Sequence, residues 1–116
     1  MPSRRWNKPS IMLQCEANYS NAHGTPWVYK TRQIGRLVGM PVPGTMTSVS
    51  WETLQDPTLV FGTPIIGYRQ ANGEYLENSQ LEPDVKVANS PETIVKGVDT
   101  QLKTAVEELL KDIDKK

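Results

Sequence analysis

A short apolar run that leads into a polar turn sets the strongest limit on how this chain folds. The run Ile11-Met12-Leu13-Gln14-Cys15 is followed by Glu16-Ala17-Asn18-Tyr19-Ser20-Asn21-Ala22-His23-Gly24. We predict a strand over about Ser10–Ala17, buried on both faces of a parallel or mixed sheet, and then a helix that begins between Ser20 and Pro26 and ends near Gly35. A turn between strand and helix lies at the rim of a sheet, where α/β enzymes carry reactive groups.

Composition excludes several classes of function. At 116 residues the chain has the length of a single domain or a fragment of one, residues 1–116, in which residues 1–9 form a lead-in. Thirteen basic and thirteen acidic side chains balance, so we expect no nucleic-acid partner. No apolar run reaches the roughly 18 residues that span a bilayer, and we expect no membrane insertion. One cysteine and one histidine exclude an internal disulfide and zinc clusters, so we predict no metal and no cofactor.

The middle of the chain has the pattern of short β segments. A strand is predicted at Arg36–Gly39, and the loop Met40–Thr47 is long enough to close over a site. Three further strands are predicted at Val49–Leu54, Thr58–Gly62 and Pro64–Arg69. The pair Asn72-Gly73 predicts a hairpin that joins Arg69 to Tyr75-Leu76-Glu77, and residues 81–87 form another extended piece.

Two helices are predicted at the end of the chain. Ser90 and Pro91 indicate the start of a helical turn that Gly97 interrupts, and Asp99 can cap a helix over about Thr100–Asp112. One face of that helix is apolar and is predicted to pack against the rest of the fold; it carries Leu102, Val106, Leu109, Leu110 and Ile113.

Ser20 is the candidate nucleophile. A serine nucleophile needs a base, a group that orients the base, and N–H donors for the oxyanion. The N–H of Asn21 would point to where an oxyanion forms, although a serine at a helix start also serves as an N-cap. His23 is expected to be a surface or helix-cap residue, and Lys30 is a weaker candidate for the base. The pattern alone does not choose a carboxylate among Glu77, Glu82 and Asp84.

These motifs resemble the tail-specific, or C-terminal-processing, serine peptidases and the related core of tricorn protease. The resemblance covers the second half of their protease domain, over nearly all of residues 9–111. The motifs that carry it are Asn18-Tyr19-Ser20-Asn21-Ala22, the loop Gly39–Thr45, the stretch Thr58–Pro64, Tyr75-Leu76-Glu77-Asn78 and Leu81-Glu82-Pro83-Asp84. The resemblance implies a ClpP/crotonase-like α/β fold: a mixed sheet with helices, a β-rich middle and a C-terminal helix.

The resemblance also implies roles for three residues. Ser20 corresponds to the nucleophile, Asn21 to the residue whose backbone N–H contributes to the oxyanion hole, and Glu77 to the carboxylate of the tricorn-type tetrad. The lysine of the serine–lysine members is absent from the loop that carries Thr45 and Met46. This departure favours the tricorn-like branch, which takes its histidine from the first half of the domain.

The resemblance therefore implies a fragment that carries a nucleophile and a carboxylate without the base. We expect peptide or protein substrates, and either a missing N-terminal half of the protease domain or a homo-oligomer as partner. A bacterial periplasm or cell envelope is the compartment that the resemblance suggests. The alternative is a non-catalytic peptide-binding or assembly module on the same fold.

Overall fold

A computed structural model describes residues 6–114, which form two sheets and three helices. A parallel sheet has the strand order β1 (Ile11–Gln14), β2 (Arg36–Gly39) and β5 (Val85–Lys86). A separate antiparallel ribbon pairs β3 (Ser48–Thr53) with β4 (Val60–Ile66). The helices are α1 (Asn21–Thr31), α2 (Pro91–Val95) and α3 (Thr100–Asp114). The expected mixed sheet is thus two sheets, one parallel and one antiparallel.

Strand β1, helix α1 and strand β2 form a parallel crossover unit that places Ser20 at the sheet rim. Ile11 pairs with Arg36 and Gln14 with Gly39, and the chain leaves β1 directly into the turn. The prediction of a strand over Ser10–Ala17 buried on both faces was wrong, because β1 is shorter and forms an edge of the described sheet. Leu13 in β1 is 42% exposed, so one face of the strand is not fully covered by the described residues.

Helix α1 ends at Thr31 and not near Gly35. Gln33 adopts a left-handed conformation with φ 53°, and the N–H of Ile34 donates to the carbonyl of Tyr29, which closes the helix two residues earlier than the glycine. Pro26 lies inside α1 and lacks the N–H that would reach Ala22. The side-chain amide of Asn18 donates to the Ala22 carbonyl instead, at 3.0 Å.

The small core joins α1, β2 and two loops. It consists of Tyr29, Leu37, Val42 and Leu81, with Met12 and Trp27 packed against it. Val42 and Leu81 exchange backbone hydrogen bonds of 3.0 Å in both directions, which connects the loop 40–47 to the segment after the hairpin. The core therefore fixes the two loops that surround the Ser20 turn.

The prediction of two separate strands over residues 58–69 was wrong, whereas the predicted hairpin that follows them is present. Strand β4 (Val60–Ile66) is one strand that runs through Pro64, whereas two strands, Thr58–Gly62 and Pro64–Arg69, were predicted. The proline is tolerated because each ribbon strand has one unpaired edge in the described structure, and a bulge between Ser48 and Val49 absorbs the irregularity. The Asn72-Gly73 hairpin is confirmed, since Arg69 pairs with Tyr75 and Gly73 adopts φ 87°.

The C-terminal helices begin as predicted, but the face of α3 differs from the expectation. The hydroxyl of Ser90 accepts from the Thr93 N–H, and the Asp99 carboxylate accepts from the Leu102 N–H. Helix α3 lies against β1 and β2 and buries Ala105. The prediction that its whole apolar face packs was wrong: about half of each side chain is exposed at Leu102, Val106, Leu110 and Ile113.

The chain is more extended than a domain of its length. Its radius of gyration is 17.6 Å, whereas about 13 Å is expected for a compact domain of this size. The exposed ribbon and the exposed α3 stripe explain the difference. Among the helices within residues 6–114, none combines the length and the hydropathy needed to cross a bilayer.

Candidate active site

The backbone of Ser20 is held in an unusual conformation. Its φ of 53° and ψ of −124° match the first central position of a type II′ turn, where glycine is favoured. A side chain in such a region costs about 1–3 kcal/mol and persists only when its surroundings impose it. Here the Ser20 N–H donates to the Thr45 carbonyl at 2.7 Å, and the Ser20 carbonyl accepts from the N–H groups of His23 and Gly24.

Ser20 occupies the N-cap position of α1 without acting as a side-chain cap. Its hydroxyl forms no capping hydrogen bond with the helix. The alternative role that the sequence left open, a serine that stabilises the helix start, therefore lacks its defining contact. Ser20 is a half-buried residue, and its hydroxyl forms no hydrogen bond with another residue within 6–114, so it is available for a ligand.

The N–H of Asn21 is the first donor of α1. The next three N–H groups are used within the turn: Ala22 donates to Tyr19, and His23 and Gly24 donate to Ser20. The Asn21 N–H donates to no acceptor in the described part of the chain. An unpaired N–H at a helix start next to a free hydroxyl is an arrangement that can bind an oxyanion.

Glu77 binds the loop that anchors Ser20. Its Oε2 accepts from the N–H of Met46 at 2.8 Å, and from the N–H and the hydroxyl of Thr47, each at 2.7 Å. These hydrogen bonds, the Met46 one foremost, lower the pKa of Glu77 below its ordinary value. Because Thr45 binds Ser20 and Met46 binds Glu77, the two predicted site residues hold adjacent residues of one loop.

His23 is a buried residue, and the prediction of a surface or cap position was wrong. Its side chain has 0% exposure, and neither ring nitrogen has a hydrogen-bond partner among residues 6–114. Burial lowers the pKa of His23, while the charge of Glu77 partly opposes that effect. The ring lies one helical turn from Ser20 but forms no hydrogen bond with its hydroxyl, so it does not occupy the position of a base.

The remaining candidates have structural partners. Lys30 pairs with Asp84 at 3.0 Å and donates to the Glu82 carbonyl, so its ammonium is bound to these two residues and not to Ser20. Asp84 also accepts from the Leu37 N–H. Of the three carboxylates that the pattern left open, Glu77 is the one that binds the loop beside Ser20.

Sequence reasoning missed two residues that shape the site. The buried side-chain amide of Gln14 donates to the carbonyls of Met40 and Leu81 and so joins the end of β1 to both loops. Gly44 lies so close to Asn78 and Ser79 that a Cβ there would come within 2.2 Å of the Ser79 nitrogen. A polar residue in an apolar strand and a glycine in a predicted loop were the available signals.

An apolar groove of about 480 Å³ begins beside the turn, at Asn21 and Gly24. Its walls come from α1, the loop and the hairpin, and most of its lining is apolar: Trp27, Val28, Ile34, Met46 and Leu76. Within the described residues no three acidic, histidine or cysteine side chains are grouped to hold a metal ion.

Comparison with known proteins identifies the family. The model of peptidase family S41 matches residues 2–87. The chain belongs to peptidase family S41. A tricorn-like protease C-terminal subunit from Sulfurisphaera tokodaii is 25% identical over 119 residues, which cover 100% of this chain and 14% of that protein. The resemblance to tail-specific and tricorn-like peptidases is confirmed.

Solved structures show the same S41 peptidase-like α/β fold. Tricorn protease superposes with a TM-score of 0.78 at 21% identity, over 90% of this chain and 10% of its own. A peptidase from Parabacteroides merdae gives 0.70 at 25% identity, over 91% and 33%. Mature CPAF gives 0.65 at 23% identity, over 74% and 17%. This S41 chain thus spans a small part of the length of each relative.

Proposed function

We propose that Ser20 is the nucleophile of a serine peptidase and that the base comes from a part of the protein outside this chain. The observation that carries the proposal is the strained turn at Ser20, whose free hydroxyl lies beside the unpaired Asn21 N–H. The S41 family match and the tricorn-like relative support a peptide as the substrate.

In the proposed reaction, Ser20 Oγ attacks the carbonyl carbon of a peptide bond and its proton passes to the base. The Asn21 N–H stabilises the oxyanion, with a second donor from outside this chain. When the intermediate collapses, the C–N bond breaks, the base returns the proton to the amine, and Ser20 carries the acyl group. Water then hydrolyses the ester and releases a carboxylate.

Glu77 is proposed to position the catalytic groups. Its Oε2 binds Met46 and Thr47, whereas its Oε1 accepts no hydrogen bond from the described residues. The free oxygen of this ionised carboxylate is available to orient a base that docks from elsewhere. Glu77 also fixes the loop whose Thr45 carbonyl holds the Ser20 N–H.

The proposal includes a divided protease domain of ClpP/crotonase type. Strand β1 is an edge in the described sheet, and α3 exposes an apolar stripe, so further protein would extend the sheet and cover the helix. The chain spans 14% of its Sulfurisphaera tokodaii relative, which leaves room for such a part. Alternatively, a second copy of the chain in a homo-oligomer would cover the edge of β1 and the apolar stripe of α3. By itself the chain would lose most of the rate enhancement, because nucleophile and base act as a unit.

Fluorophosphonate labelling of the complete protein tests the role of Ser20. We expect a single adduct on the peptide that contains Ser20, loss of labelling in Ser20→Ala, and slower labelling in Glu77→Gln. Glu82→Gln is the matched control, because Glu82 is exposed and its carboxylate binds Lys86 and Gln80. Labelling that survives Ser20→Ala would remove Ser20 from the mechanism.

A non-catalytic peptide-binding module on the same fold is the second candidate. It is favoured by one observation: within residues 6–114 no side chain forms a hydrogen bond with the Ser20 hydroxyl that would activate it. A complete protein that binds peptides but takes up no fluorophosphonate would support this candidate over the peptidase.

A further inference from the structure

The imidazole of His23 is a polar group that is enclosed in the fold without a hydrogen-bond partner. The residue has 0% exposure, and neither Nδ1 nor Nε2 forms a hydrogen bond with any of residues 6–114. Leaving a buried donor or acceptor unpaired destabilises a fold, and most such groups in native proteins bind protein or ordered water. An apolar side chain of similar size would fill the same space without this penalty. The fold therefore holds at this position a polar group that packing does not require.

His23 lies in the first turn of α1, which begins after Ser20. Its backbone N–H donates to the Ser20 carbonyl at 2.8 Å. At the next residue, Gly24, a Cβ would lie 2.6 Å from the Met46 Cε, so the methionine side chain packs directly on this turn. The N–H of Met46 in turn donates to Oε2 of Glu77 at 2.8 Å. One methionine thus connects the turn that contains His23 to the Glu77 carboxylate.

Glu77 has an unused acceptor that matches the unused donor of His23. Its Oε2 binds Met46 and Thr47, whereas its Oε1 accepts no hydrogen bond from the described residues. Burial lowers the pKa of His23, and the negative charge of Glu77 opposes this effect, so the two groups interact electrostatically. A neutral imidazole carries one N–H donor, and each oxygen of an ionised carboxylate has two acceptor positions. The two side chains are therefore complementary.

We propose that His23 is a positioning residue of the Ser20 site, and that its ring N–H binds Oε1 of Glu77 through one bridging water. A water-mediated hydrogen bond between two polar groups is nearly as favourable in enthalpy as a direct one. The second acceptor position of Oε1 remains for the base that comes from outside this chain. The inference rests on the proposed function, because His23 orients Glu77 and Glu77 orients the base that activates Ser20.

Fluorophosphonate labelling of the complete protein separates this role from simple core packing. His23→Leu roughly keeps the side-chain volume and removes the donor. We expect it to slow the labelling of Ser20 about tenfold, the usual effect of losing one hydrogen bond to a charged group. His23→Gln retains an N–H donor and should restore the rate to within about twofold of wild type. A residue that only fills the core would give a leucine variant at least as reactive as the glutamine variant.

A double-mutant cycle shows whether His23 acts through Glu77. Adding His23→Leu to Glu77→Gln should cause no further loss of labelling rate, because the carboxylate that His23 orients is already changed. The matched control is Val38→Ala in β2, at a residue that also has 0% exposure. Its effect on the rate should be the same in the wild-type and Glu77→Gln backgrounds.

The same cycle has a readout that does not depend on chemistry at Ser20. In urea denaturation of the 116-residue chain, Glu77→Gln should shift the midpoint less in the His23→Leu background than in the wild-type chain. Part of the wild-type shift is the lost bond to His23, and that bond is already absent in the leucine variant.

Four results would overturn the proposal. They are a leucine variant labelled as fast as wild type, a glutamine variant as slow as the leucine variant, a double variant slower than Glu77→Gln, and equal midpoint shifts in both backgrounds. Absence of any labelling in the wild-type protein would instead refute Ser20 as the nucleophile. The denaturation cycle would then still decide whether His23 binds Glu77.

Discussion

The Ser20 region and the β3–β4 ribbon are held together in different ways. Around Ser20, segments far apart in the sequence bind one another: Gln14 joins β1 to two loops, and Glu77 binds Met46 and Thr47. The ribbon is held by its own cross-strand ladder, and large apolar side chains on it face solvent, with Trp51 67% and Phe61 59% exposed. The Ser20 turn is thus held by contacts between distant segments, while the ribbon exposes large apolar side chains.

The same substitution in the two regions should have very different effects. Gly44→Ala places a Cβ within 2.2 Å of the Ser79 nitrogen and 2.5 Å of the Asn78 carbonyl carbon, and backbone atoms cannot move aside. We expect a loss of unfolding free energy of about 3 kcal/mol, the upper range for overpacking. In the ribbon, Gly62→Ala meets only the Trp51 ring at 3.1 Å, which can shift.

Urea denaturation of both variants measures this contrast. The expected loss for Gly62→Ala is within about 0.5 kcal/mol, as for most surface substitutions. Equal losses for Gly44→Ala and Gly62→Ala would remove the proposed difference between a tightly packed site and a loosely held ribbon.

Acidification should weaken the site region through His23. Burial lowers the folded-state pKa of His23 below its ordinary value of 6.5, so the unfolded chain binds the proton more readily. The contribution of neutral His23 to the unfolding free energy is fully present above pH 6.5. It is lost as the pH falls through that value towards the folded-state pKa. Glu77 also has a lowered pKa, but its contribution is lost only below its ordinary 4.5.

The unfolding free energy measured from about pH 7.5 to about pH 5.5 isolates the histidine. We expect the unfolding free energy to decrease over this range in the wild-type chain and to depend less on pH in His23→Gln. Only the slope is compared, because the substitution also changes the core. An unchanged slope in His23→Gln would show that another group titrates.

The ribbon should affect association more than stability. Trp51→Ser removes an exposed side chain and should change the unfolding free energy by less than about 0.5 kcal/mol. The same change should reduce self-association of the chain, since exposed apolar patches promote it. Sedimentation velocity over a dilution series measures this. A wild-type chain that stays monomeric, or a variant that associates as strongly, would contradict the role given to the ribbon.

Local signals predicted most of the helices and strands. The strand, turn and helix around Ser20, the Asn72-Gly73 hairpin and the Asp99 cap follow from residue chemistry within a few positions. The errors arose from tertiary contacts. The pattern around His23 does not show that its first-turn position is buried, and the α3 periodicity shows an apolar face without showing whether this chain covers it.

The most direct test concerns the strain at Ser20. The fold keeps this serine at φ 53°, and its hydroxyl forms no capping hydrogen bond that would offset the strain. Denaturation of Ser20→Gly and Ser20→Ala measures this claim. We predict that the glycine variant is about 1 kcal/mol more stable than the alanine variant. Glycine adopts this conformation without strain, whereas alanine is strained there as serine is. A glycine variant no more stable than the alanine variant would show that the Ser20 backbone is not strained.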